Sequence, residues 1–184
     1  MNNFEFYGYD FIPGILTPKD AANLHQDLQQ QEFDKEPPEY DPGRGLVKMV
    51  YKPKCAEDIF DQVHHLLEMY LSTALYPTYW FCTQYYNKSY MAAHKDRGAC
   101  EVSISMNISQ DGLPWDLCLR DKTGRIIRRK TNPGDGILYA GTEVTHWRTP
   151  YQGRIYTQLF LHYVKKNGNY SDFKYDEHKS STPN

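Results

Sequence analysis

His94-Lys95-Asp96 sets an imidazole and a carboxylate two residues apart. In an extended segment residues i and i+2 share one face, so both groups point the same way and Lys95 points away. His146, within Thr145-His146-Trp147-Arg148, offers a second imidazole further along the chain. Two neutral imidazoles and one carboxylate are the donor set that occupies one face of an octahedral Fe(II) and leaves its remaining positions open. A second His-x-acid triplet, His25-Gln26-Asp27, follows the helix-start pattern Thr17-Pro18-Lys19-Asp20. Two residues apart on a helix point about 200° apart, so that pair reads as a solvated face. His64, His65 and Glu68 also fall on helical spacing, but a carboxylate-bridged metal pair needs matching residues on other helices, and they read as surface.

Gly153-Arg154 opens the last strongly apolar run. A guanidinium never loses its charge and can hold a carboxylate through two parallel hydrogen bonds. Arg154 therefore suits the distal carboxylate of a co-substrate that chelates the metal through a keto acid, which is 2-oxoglutarate.

These side chains need a scaffold that brings distant positions together. The cap Thr17, Pro18 and Asp20 predicts a helix carrying Ala21, Leu24 and Leu28 on its apolar side. Phe60, Val63, Leu67, Tyr70, Leu71 and Ala74 predict a second helix over 56–76, ended by Pro77. From Tyr79 the texture changes to short β-branched and aromatic runs at 79–86, 101–108, 115–120, 125–130, 136–140 and 155–164, separated by turn residues such as Asp121-Lys122-Thr123-Gly124 and Asn132-Pro133-Gly134. Six or more close strands after two helices predict a mainly β, α+β domain: a double-stranded β-helix, or jelly roll, buttressed on one sheet by helices. We take one domain over 1–164 and a polar tail over 165–184.

With these residues in place the sequence resembles the Fe(II)/2-oxoglutarate-dependent oxygenases, in particular their small prolyl-4-hydroxylase-like members. The resemblance runs from Phe11 to Val164 and rests on Phe11-Ile12-Pro13-Gly14-Ile15-Leu16-Thr17 before a helix, His94-x-Asp96, Pro133-Gly134-Asp135, His146 and Arg154. It implies that His94, Asp96 and His146 bind iron and that Arg154 holds the C5 carboxylate of 2-oxoglutarate. Tyr85, or its neighbour Tyr86, matches a tyrosine that relatives use on the same co-substrate. It further implies hydroxylation of an unactivated C–H bond with dioxygen, release of succinate and carbon dioxide, and ascorbate as a supporting reductant. Asp96 favours hydroxylation over halogenation, since halogenating relatives carry a small residue there. Prolyl hydroxylases proper use lysine where Arg154 stands, and Asn87-Lys88-Ser89-Tyr90 replaces their Gly-rich step, so the substrate class implied is an amino-acid-like small molecule or a peptidyl side chain.

Composition narrows the partners. The chain has 184 residues with 21 Lys+Arg against 23 Asp+Glu, a formal net charge of −2, which argues against general binding to a phosphate backbone. The basic run Arg120, Lys122, Arg125, Arg128, Arg129 and Lys130 keeps a nucleic-acid-dealkylating oxygenase as an alternative, although period-two alternation splits it over two faces. A cupin-type sugar or metal binder is the other alternative, but no His-x-His pair is present. No run of about 20 apolar residues predicts a membrane span, and Cys55, Cys82, Cys100 and Cys118 form no close-spaced framework, which predicts reduced thiols and a cytoplasmic setting.

Overall fold

A computed structural model describes residues 2–35 and 37–176. Three α-helices, α1 (Asn3–Tyr7), α2 (Pro18–Leu28) and α3 (Glu57–Leu71), accompany the strands β1 (Tyr9–Ile12), β2 (Glu39–Asp41), β3 (Gly45–Tyr51), β4 (Leu75–Tyr86), β5 (Met91–His94), β6 (Val102–Gln110), β7 (Leu117–Arg120), β8 (Ile126–Arg129), β9 (Gly136–Tyr139), β10 (Thr145–Arg148) and β11 (Ile155–Lys165). All pairings are antiparallel. They build a larger sheet in the order β1-β9-β6-β11-β4-β3-β2 and a smaller one in the order β5-β10-β7-β8. This is the jelly roll that the strand spacing predicts.

The long central strands β4, β6 and β11 serve two cores at once. Side chains alternate across a strand, so Leu159, Leu161 and Tyr163 of β11 pack toward the helices with Leu24, Leu28, Phe60, Val63 and Leu67. Tyr156 and Phe160 of the same strand turn inward beside Tyr79, Phe81, Tyr85 and Trp115. Thr17 caps α2, its hydroxyl accepting from the Asp20 backbone at 3.1 Å, with Pro18 in the first turn. Helix α2 buries Ala21, Leu24 and Leu28, and α3 buries Phe60, Val63, Leu67 and Leu71.

Three local expectations change. Helix α3 stops at Ser72, which is left-handed at φ 48°, and β4 begins at Leu75 and runs through Pro77. The missing N–H of Pro77 falls where the β4–β11 register skips Thr78, a bulge that tolerates proline. Tyr70 and Ala74, past the buried stripe, are exposed. The supposed tail also folds back in part: Tyr170 and Phe173 press against Gly98, the Tyr175 N–H donates to the Pro77 carbonyl at 2.8 Å, and Asp176 pairs with Arg97. The rest of that tail, 177–184, lies outside the described residues. Among the described residues no helix is long and apolar enough to cross a membrane.

The helix-side core is the main source of stability. Leu161 is fully buried there, so Leu161→Ala should cost about 2–5 kcal/mol. Equilibrium urea unfolding checks this, and an unchanged midpoint would mean that this layer does not carry the fold.

Candidate metal centre

Strands β5 and β10 place the two imidazoles. His146 lies directly opposite His94 in their antiparallel pairing, and opposed side chains project on the same face. The ring centroids are 4.3 Å apart. One strand step later Arg148 lies opposite Met91, so β5 carries one residue more than β10 over this span. The bulge puts both Ala92 and Ala93 on the outside and lets Met91 and His94 both face the lumen.

Asp96 follows β5 and is tied to the neighbouring loop by its backbone N–H, which donates to the Gly141 carbonyl at 2.8 Å. Its Oδ1 lies 3.4 Å from His94 Nε2 and 3.5 Å from His146 Nε2. Lys95 points to solvent. The arrangement fits a divalent metal. Imidazole and carboxylate bonds to such an ion are about 2.0–2.2 Å, so two ligands at right angles sit about 3 Å apart, close to the spacing seen. The tautomers fit as well: His94 Nδ1 faces the Ala92 carbonyl at 2.7 Å and His146 Nδ1 the Val144 carbonyl at 3.2 Å. A carbonyl only accepts, so each Nδ1 carries the proton and each Nε2 offers its lone pair to the shared centre.

Electrostatics agree. Burial opposes ionisation of Asp96, but the two neighbouring imidazoles outweigh it and hold its carboxyl far below the usual carboxylate range. The hydrogen bond to Asp96 raises His94 against the opposing effect of burial. Behind Asp96 the Ser103 hydroxyl lies 3.4 Å from Oδ2 and 2.8 Å from His162 Nδ1. Cys100, His162 and Asp96 also offer donor atoms within 4.8 Å of one another, but the Tyr79 hydroxyl lies 3.2 Å from Cys100 Sγ and the Ser103 hydroxyl occupies His162 Nδ1. His64, His65 and Glu68 lie equally close. There His64 Nε2 meets the Leu75 carbonyl and Glu68 accepts the Leu75 N–H, which makes the group a stitch between α3 and β4.

The metal-side cavity has a volume of about 70 Å³ and is lined by Arg44, Tyr79, Phe81, Met91, Tyr139, Phe160 and His162 besides the three ligand candidates and Cys100. Tyr85 faces inward and is fully buried, whereas Tyr86 hydrogen-bonds Gln84 at 2.7 Å on the half-buried outer side. Arg154 departs from expectation. Its side chain is exposed and is not part of the cavity lining, because its backbone N–H is bound by the Asp111 carboxylate in the turn before β11. Sequence reasoning committed to neither His162, which lines the cavity, nor Arg148, which is buried near it. Arg148 is two residues after His146 on a strand and so on the same face, a spacing signal as good as that of His94 and Asp96.

No family model matches the chain, and no curated protein matches it. Solved structures do. A Pseudomonas putida prolyl-4-hydroxylase is 14% identical with a TM-score of 0.70, covering 90% of this chain and 96% of its own. HygX from Streptomyces hygroscopicus, solved with nickel, 2-oxoglutarate and hygromycin B bound, is 12% identical with a TM-score of 0.65, covering 86% and 84%. The epimerase SnoN from nogalamycin biosynthesis is 11% identical with a TM-score of 0.72, covering 88% and 79%. The chain has the fold of the 2-oxoglutarate–Fe(II) oxygenases.

Within that fold Gly141 marks the closest approach to the site. A Cβ there would collide with the Cys100 carbonyl and the Asp96 carboxylate. Gly141→Ala should therefore weaken Co(II) binding at least about tenfold, equivalent to about 1.4 kcal/mol. Titration followed by the Co(II) absorption bands checks this, and wild-type affinity would mean that Asp96 is not a ligand.

Proposed function

We propose that this protein is an Fe(II)- and 2-oxoglutarate-dependent dioxygenase that hydroxylates an unactivated C–H bond of an amino-acid-like small molecule or a peptidyl side chain. The observation that carries the reading is the convergence of His94 Nε2, His146 Nε2 and an Asp96 carboxylate oxygen on one point. Three protein ligands on one face leave room for a bidentate keto acid and dioxygen. Bound there, the metal and 2-oxoglutarate supply the oxidising power for hydroxylation, with succinate and carbon dioxide released and ascorbate as a supporting reductant.

The chain's own residues have the remaining tasks. Ala92 and Val144 fix the imidazole tautomers, and Ser103 steadies the outer oxygen of Asp96. Phe81, Phe160 and Met91 wall the cavity with apolar surface and keep water from the reacting position. A second cleft of about 590 Å³ lies between the 32–42 segment and β3, lined in part by Phe33, Tyr40, Met49 and Tyr51. Tyr51 also packs on Phe81 of the metal cavity, ring centroids 5.5 Å apart. That shared wall makes the cleft the approach for the primary substrate. Its size suits either substrate class, and neighbours of the same fold include one holding a peptide fragment and one holding hygromycin B. The four free cysteines suit a reducing, cytoplasmic setting.

Purified protein given Fe(II), ascorbate and 2-oxoglutarate should form succinate slowly without a primary substrate, and Asp96→Ala should reduce this to background. Adding metabolite or peptide pools should then produce a sixteen-mass-unit gain on one component. Absence of succinate together with absence of 2-oxoglutarate binding would reject the reading.

A further inference from the structure

Arg148 is an anomaly for a purely structural residue. It is 2% exposed, and among the described residues no carboxylate pairs with it. Its one hydrogen bond runs from Nη1 to the Trp115 carbonyl at 2.7 Å, and Nε has no partner. The guanidinium lies over the rings of Trp115 at 4.8 Å and Tyr156 at 5.3 Å, which eases but does not neutralise a buried charge. The inward faces of β4 and β11 hold further buried polar atoms with no hydrogen-bond partner: the Tyr85 hydroxyl, Thr83 Oγ1 and Gln158 Oε1. More than nine in ten buried polar groups in folded proteins are satisfied, so several orphans on the inward faces of neighbouring strands, together with an unpaired buried cation, call for a polar, anionic occupant.

Neither Arg148 nor Tyr85 lines the 70 Å³ metal-side cavity itself, but the strand pairing sets both next to it. Arg148 shares a face of β10 with His146, and Met91, its partner across the β5–β10 pairing, lines the metal cavity. Tyr85 lies within the electrostatic reach of both Arg44 and Arg148, and Arg44 is itself in the cavity lining. Arg44 already has a counter-ion in Asp41 at 3.2 Å, whereas Arg148 has none. We infer that Arg148, assisted by the Tyr85 hydroxyl, anchors the distal carboxylate of the keto-acid co-substrate in place of Arg154. The inference rests on the oxygenase reading above. Its ligand class is a dicarboxylate: one end chelates the metal, and the other accepts the guanidinium fork and the phenol.

The test uses Mn(II)-loaded protein under nitrogen, so that binding is read without turnover. Calorimetric titration compares 2-oxoglutarate with 2-oxobutanoate, which has the same chelating head and no distal carboxylate. Wild type should bind 2-oxoglutarate at least about 100-fold more tightly. Arg148→Gln should bring the two affinities within about threefold while leaving 2-oxobutanoate unchanged, Tyr85→Phe should narrow the gap partly, and Arg154→Gln should leave it intact. Because the comparison is a ratio within one variant, loss of fold cannot mimic it. Arg148→Lys, which keeps the charge but not the fork, should give an intermediate ratio if the glutamine variant proves unstable. A gap retained in Arg148→Gln or Arg148→Lys, a gap lost in Arg154→Gln, or equal wild-type affinities would each overturn the assignment of Arg148. Wild-type protein that holds Mn(II) but binds neither keto acid would instead overturn the oxygenase reading itself.

Discussion

The pairing of His146 with His94 across β5 and β10 is the constraint on which the candidate site depends. Two imidazoles far apart in sequence share a centre only because strand register sets them side by side, and a one-residue slip would turn one of them to the other face. The register is held from the inside by Met91, Leu117, Leu119, Ile137 and Val144, which form one buried cluster between the sheets. It is held from the other edge by β7, whose Leu119 also lies opposite His146. Asp96 needs less scaffold: it follows β5 directly and is steadied by the Gly141 carbonyl. The metal-binding geometry is thus a property of sheet pairing, with a single loop contact completing it.

The same sheet keeps two environments apart. On β6, Val102, Ile104, Met106 and Ile108 bury into the helix-side core, while the alternating Ser103, Ser105 and Asn107 are buried and polar. An apolar residue at each of those inward positions would satisfy packing as well and avoid unmet hydrogen bonds. One face of the sheet is therefore mainly apolar, while the other combines an aromatic core with the polar candidate site. The helices complete the larger sheet's apolar face, which leaves the inward face free to carry buried polar residues.

Much of this was legible in the sequence, for identifiable reasons. His94, Asp96 and His146 could be found because extended-chain geometry follows from spacing alone, and α2 because its cap and proline are local signals. The strands β5 and β10 were harder: each has four residues, and Met-Ala-Ala-His and Thr-His-Trp-Arg carry no strong alternation. Their existence comes from pairing with each other and with β7. The end of α3 was misplaced because Pro77 looks like a helix stop, whereas a bulge at Thr78, visible only once β4 pairs with the distant β11, makes it acceptable inside β4. The outward placement of Arg154 was hidden for a similar reason, since the residue that fixes its backbone, Asp111, lies 43 positions away.

That last contact explains where a cation can and cannot stand in this barrel. Asp111 accepts the backbone N–H of Arg154 and of Ile155, together with the Tyr151 hydroxyl at 2.6 Å. Gly153 sits so close to Tyr151 and Asp111 that a side chain there would collide with both. The turn is therefore pinned on three sides, and Arg154 leaves it toward solvent. The first fully buried residue of β11 is then Tyr156, whose ring lies against Arg148. With the start of β11 committed to an aromatic support, a charge inside the lumen has to come from a neighbouring strand, and β10 provides it on the same face as His146. A cation two residues from a candidate metal ligand depends on the register that places the imidazoles, so the pairing of β5 with β10 sets both ends of the proposed co-substrate site.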